Sequence, residues 1–167
     1  MAIRKAGIDT KKLGRIVRPS RRVTGNRRDS VEGQGWETLF VAIDDHARID
    51  FTAMHSEEKK HEAVHNAVAY YAGLGVRITP AACKALGVQH KFTRLHRPQT
   101  NGKAERFIQS ALREWTYGWT YQNSVERPHA LASWQHYDNW HRPHSGIGHI
   151  APMSRLKSTN NLLTVHS

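Results

Sequence analysis

Cysteine is nearly missing from this chain, and acids are scarce. One cysteine, Cys83, stands among 167 residues. That excludes an internal disulfide framework and suits a reducing compartment. It also excludes Cys-pair zinc sites, and no His-Glu-x-x-His spacing replaces them. The twelve histidines, His141, His144 and His149 among them, therefore form no zinc motif. No apolar run approaches membrane-spanning length, and the N-terminus lacks a signal-peptide core. Gly-rich stretches with Walker or dinucleotide spacing are missing too. These absences predict a soluble, cytoplasmic protein with no membrane partner.

What is abundant is positive charge. Lys and Arg number 25 against 14 Asp and Glu, a net charge of +11. The excess is uneven. Residues 1–28 hold ten Lys or Arg against the single acid Asp9, and residues 90–113 hold six against Glu105. Such blocks fit either a polyanion partner, with nucleic acid first, or a solvated basic tail or ordinary RNA stickiness. The length suffices for one domain with a real core and hardly for two.

Periodicity gives an α/β order. A strand is expected around Asp9, followed by a turn-rich insertion at about residues 18–35. Trp36 to Ile43 and Arg48 to Met54 read as a hairpin. Ser56 caps a helix whose stripe is Val64, Ala67, Val68, Tyr71 and Leu74, ended by Gly73 and Gly75. Val76 to Ile78 is a short strand. Thr79-Pro80 starts a helix closed by Gly87, and Val88 to Thr93 reads as a strand. A long helix runs from Asn101 to about Trp119, and a last one from Arg127 to Trp140. The expected domain spans residues 1–157, with 158–167 as a flexible tail. Trp115, Trp119, Trp134 and Trp140 read as packing residues rather than a base-stacking platform.

One segment carries the chemistry. In Arg97-Pro98-Gln99-Thr100-Asn101-Gly102-Lys103-Ala104-Glu105-Arg106-Phe107, a lone carboxylate sits in the first turn of a helix among cations. A helix N-terminus favours such a charge without any further role. Its neighbours Arg97, Gln99, Asn101, Lys103 and Arg106 suit phosphate and base edges.

This segment resembles the one carrying the last acid of the DDE transposases and integrases, the retroviral-integrase-like enzymes of insertion sequences. Asp9, within Gly7-Ile8-Asp9-Thr10-Lys11-Lys12-Leu13-Gly14, is similar to the family's first-strand motif. Asn139-Trp140-His141-Arg142-Pro143-His144, with Pro152 beyond it, is similar to its C-terminal Tyr-Asn-x-x-Arg-Pro-His pattern. The resemblance covers about residues 7–156. It implies an RNase H-like mixed β-sheet flanked by helices, and metal-dependent DNA cleavage and strand transfer. Its partners would be element ends and target DNA, with a homo-oligomer left open. It implies Asp9 and Glu105 as catalytic residues and ligands of Mg²⁺ or Mn²⁺. Lys12, Arg97, Gln99, Asn101, Lys103, Arg106, Arg142 and His144 would contact DNA.

The resemblance also exposes a gap. Phosphodiester chemistry of this kind uses two ions about 3.5–4 Å apart, held by carboxylates. The family supplies an Asp on the first strand, an Asp ending the fourth, and a Glu on a later helix. Here Val76-Arg77-Ile78 runs straight into Thr79-Pro80, and no Asp lies between Asp50 and Asp138. A loop plus a helical turn or two is missing by comparison, so the fourth strand and the segment after it are expected to be shortened. Asp44 and Asp45 are the nearby substitutes, and both also read as hairpin-turn residues. The chain opens close to Asp9, so the family's upstream helix-turn-helix is expected to be lacking. The expectation is a truncated, defective transposase core, with a non-catalytic basic nucleic-acid-binding module as the alternative.

Overall fold

A computed structural model of the protein describes residues 3–4, 6–17, 35–55, 60–78 and 102–164. The strands are β1 (Ile3–Arg4), β2 (Ala6–Gly14), β3 (Trp36–Asp44), β4 (Asp50–His55) and β5 (Arg77–Ile78). The helices are α1 (Lys60–Gly73), α2 (Gly102–Ala111), α3 (Glu126–Trp140) and α4 (Pro152–Thr164). The expected Ser56 and Asn101 caps, the 18–34 insertion and the elements at 79–93 lie outside the described residues.

The sheet is built around β3. Thr38 to Asp44 are all buried, as a run rich in β-branched, aromatic and apolar side chains requires when both faces are covered. β3 pairs antiparallel with β2 (Gly7 opposite Ile43, Asp9 opposite Val41, Leu13 opposite Glu37). It pairs antiparallel with β4 on its other side. β1, one residue before β2 in sequence, pairs parallel with β5.

Alternate residues of β3 serve different layers, since successive side chains point to opposite faces. Leu39, Val41 and Ile43, with Leu13, pack against Ala104, Phe107, Ile108 and Ala111 of α2, and against Trp115 and Leu131. Phe40 and Ala42, with Ala47 and Ile49, pack against Ala63, Ala67 and Tyr71 of α1, and against Met153 and Leu156 of α4. The antiparallel sheet β2–β3–β4, covered by helices on both faces, and the separate parallel pair β1–β5 make an α/β architecture consistent with the RNase H-like fold. The segment that follows β5, expected to be shortened, lies outside the described residues.

The helix after Asn101 differs from its expected form. Regular α2 stops at Ala111, and Leu112–Thr116 forms a wide π turn, with the Tyr117 N–H donating to the Leu112 carbonyl at 2.9 Å. Such turns insert one extra residue and re-aim the side chains that follow. The buried Trp115 donates its indole N–H to the Arg127 carbonyl (3.0 Å), and Tyr121 donates its hydroxyl to the Trp115 carbonyl (2.9 Å). Gly118 allows the chain to turn back, because a Cβ there would collide with the Glu114 carbonyl.

The aromatic residues also differ from expectation. Of the four tryptophans read as packing residues, Trp119 is 71% and Trp140 40% exposed. Only Trp115 and the partly buried Trp134 belong to the core. The backbone stays helical to Thr164, so α4 runs into the segment expected to be a flexible tail.

Tyr71 ties α1 to the hairpin. Its hydroxyl lies 2.7 Å from the Ala42 carbonyl and 2.9 Å from that of Ile49, and burial pushes its ionisation well above the usual tyrosine range. Tyr71→Phe removes the donor shared by these carbonyls, and the Ile49 carbonyl keeps only the Asp44 N–H (2.8 Å). It should cost about 1 kcal/mol in urea unfolding. A loss below about 0.5 kcal/mol would show that those carbonyls are satisfied without it.

Candidate functional site

Asp9 and Glu105 reach the same side of the sheet by different routes. Asp9 stands directly opposite Val41, and residues opposite one another share a face. Val41 packs under α2, so Asp9 points to the α2 side. It is half-buried, and its Oδ1 accepts the Thr10 N–H at 2.8 Å. In α2 the apolar stripe faces inward, which turns Glu105 and Arg106 to the exposed side of the first turns.

Asp44 and Asp45 are turn residues. Asp44 is buried, and its carboxylate accepts the Ala47 N–H at 2.8 Å and the His46 N–H at 3.4 Å. Asp45 meets Lys103 Nζ at 2.6 Å and Arg48 at 3.7 Å, so it is committed to cations. Among the described residues no group of three or more His, Cys, Asp or Glu comes together to hold a metal ion. Between Glu62 and Glu105 the sequence contains no acid at all, so the segment after β5 has no carboxylate to give. Among the described residues the donor set does not fit a two-ion site.

What the structure does assemble is a basic cleft of about 520 Å³. Gly102, Lys103, Arg106, Phe107 and Ser110 of α2 form one wall. Arg48 and Ile43 come from the β3–β4 hairpin, and Arg142 to Gly146 close the far side. Arg48 holds the left-handed region (φ 67°), which a non-glycine residue adopts at a cost in a tight turn. Arg106 is exposed and makes no ion pair among the described residues.

Beneath the cleft lies a buried polar junction. Asp138, 1% exposed, contacts Arg142 at 2.9 Å and the His144 Nε2 at 3.2 Å. Arg142 also pairs with Glu114, which the π turn presents and which the Trp134 indole N–H reaches at 3.1 Å. Burial works against the Arg142 charge, but Glu114 and Asp138 hold its ionisation above the usual value. Asn139 clamps the Asp50 backbone, accepting its N–H (2.9 Å) and donating to its carbonyl (2.8 Å). Gln135 adds a bond to the same carbonyl at 3.1 Å and accepts the Thr52 hydroxyl at 2.7 Å.

Four of the eight residues expected at DNA therefore share one cleft: Lys103, Arg106, Arg142 and His144. Lys12 does not join them. It stands opposite Thr38, whose parity is that of Phe40 and Ala42, so it points to the other face of the sheet. Arg97, Gln99 and Asn101 lie outside the described residues. Sequence reasoning gave no role to Asp50 or Asp138, and named Asn139 only as part of the Arg-Pro-His motif. The available signal was polar residues at the inward positions of α3, in register with Leu131.

Burial first, and then the neighbouring Asp138, push the Asp50 carboxyl well above the ordinary Asp value. Its folded pKa exceeds the unfolded value of about 3.9. The folded state therefore holds the proton more tightly, and stability falls as pH rises from about 4 towards the folded pKa. Asp50→Asn removes that titration while keeping shape. In urea unfolding from pH 4 to 8 it should gain on the parent as pH rises and be at least as stable at neutral pH. A clear loss at neutral pH would mean that Asp50 is an ionised, paired group.

Comparison with known proteins bears on the same stretch of chain. Residues 86–152 match the family model described as the integrase core domain. The putative transposase InsD for insertion element IS2E of Escherichia coli (strain K12) is 31% identical over 81 residues, 44% of this chain and 34% of that protein. The transposase InsD for insertion element IS2A/D/F/H/I/K of Escherichia coli is also 31% identical over 81 residues, with 25% of its length covered. The chain thus spans about a third or less of these curated relatives.

Proposed function

We propose that this chain is a DNA-binding transposase core of the insertion-sequence, integrase-core type, defective in strand transfer. The observation that carries this reading is the basic cleft. Arg106 and Lys103 stand at its α2 wall, with Arg48 and Arg142 opposite, and a phosphodiester backbone is the polyanion such a groove suits. Lys103 is held in place by Asp45, and Arg142 by Asp138 and Glu114, so the cations are positioned before DNA arrives. Pre-ordering of this kind lowers the entropy cost of binding.

No helix among the described residues is long and apolar enough to cross a membrane. A membrane surface is the weaker match for the charge, because the cations line a cleft rather than a helical stripe.

Asp9 and Glu105 are the acids we assign to the reaction centre. A divalent ion, Mg²⁺ or Mn²⁺, would supply charge neutralisation on the attacking and leaving oxygens. Asp9 and Glu105 would hold such an ion with one carboxylate fewer than the resembled family uses, and that missing ligand is worth roughly a thousandfold or more in rate. The chain's own residues still bind and orient the strand.

Binding should be strongly salt-dependent. Arg106→Ala should weaken it evenly across sequences and reduce the log–log salt slope by about one. Strand transfer should be absent or slight in the parent and should rise by roughly a thousandfold when an Asp-bearing segment is restored between Ile78 and Ala81. Glu105→Gln should abolish transfer in both while leaving binding intact. Full transfer by the parent, or by Glu105→Gln, would contradict this assignment. Salt-sensitive binding with no transfer even after restoration would favour the non-catalytic binding module.

A further inference from the structure

The outer face of α3 carries an array of rings that neither core absorbs. Its inner face is spent on Leu131, Asp138 and Asn139. Outward it presents His136, Tyr137 and Trp140, with His141 just past its end, and Tyr137 is 49% and Trp140 40% exposed. His136 and Trp140 lie nearly parallel, 27° apart at 5.8 Å, and so do Tyr137 and His141, 25° apart at 6.2 Å. Residues four apart on a helix are surface neighbours, which is how one face can align two ring pairs.

Cations flank these rings. Lys157 of α4 places its ammonium 4.8 Å above the Trp140 ring, and the Arg142 guanidinium lies 5.6 Å from the Tyr137 ring. Arg142 is also a wall of the basic cleft, so the two surfaces are continuous. From Asn139 to the C-terminus the sequence has no Asp or Glu, while it includes Arg142, Arg155 and Lys157. A partner for this face therefore meets Lys157 and Arg142 beside the rings and must offer flat, polarisable groups.

We propose that the His136–Trp140 face of α3 is a stacking platform for unpaired bases of a DNA strand whose backbone lies in the adjoining cleft. This rests on the DNA-binding reading and extends it from duplex backbone to exposed bases. Bases stack on aromatic faces with little sequence preference, and flanking cations take the phosphates between them. A duplex has its bases buried in the stack and can use only the cleft. The face should thus discriminate single strands and frayed ends from intact duplex.

The full-length chain can be titrated with a short oligothymidine and with a blunt duplex of equal length, at several salt concentrations, following tryptophan fluorescence. Trp140→Leu should weaken oligothymidine binding by about tenfold, leave duplex affinity within twofold, and keep the salt slope unchanged. Trp140→Tyr should restore most of the loss, and Tyr137→Ala should repeat it, with circular dichroism confirming that each variant is folded. Equal losses for both DNAs, or no loss for either, would overturn the platform while leaving the cleft reading intact. Failure of Arg106→Ala to change the salt slope would instead overturn the cleft. A concentration-dependent dimer abolished by Trp140→Leu, with unchanged oligothymidine binding, would assign the face to a second copy of the chain and overturn the proposal.

Discussion

Burial of β3 on both faces is the constraint on which the other elements depend. Because Thr38 to Asp44 are all inside, one strand must feed two cores, and side-chain alternation divides them. The odd-numbered residues call for a covering helix on one side, and α2 meets that demand with Ala104, Phe107, Ile108 and Ala111. Once α2 is seated by its apolar stripe, Lys103 and Arg106 fall at the sheet's rim. Asp9, across from Val41, falls beneath the same layer. The position of the polar residues is thus a consequence of apolar packing.

The buried junction of Asp50, Asp138 and Asn139 is the second fastening. It holds α3 to β4 through bonds to one strand residue and hands Arg142 and His144 to the cleft. Buried acids of this kind are expensive unless paired. Asp138 has the Arg142 guanidinium and the His144 imidazole as partners, while burial and the neighbouring Asp138 push the Asp50 carboxyl well above the ordinary Asp value. The Arg-Pro-His motif therefore braces the fold at its inner end and faces the cleft at its outer one.

Much of the fold was legible in the sequence, for physical reasons. The β3–β4 hairpin and α1 declared themselves by alternation and by a helical stripe, both set by the core they cover. The π turn at Leu112–Thr116 was not legible, since a one-residue insertion leaves no mark on a run whose apolar residues still point inward. Trp119 and Trp140 were misjudged because large aromatics usually bury, and spacing alone does not reveal a helix's outer face. In the site, Lys103, Arg106, Arg142 and His144 were found by motif and do converge. Lys12 was placed with them by the resemblance, but strand parity, which a shift of one residue reverses, puts it on the other face.

The central claim is that DNA lies along the α2 side of the sheet, in the cleft between α2 and the segment after α3. Amide hydrogen exchange of the full chain, with and without a DNA duplex, tests it most directly. The account predicts slowed exchange at residues 102–110 and 142–146, with α1 unchanged. Protection confined to α1 and α4, on the opposite face, would contradict it.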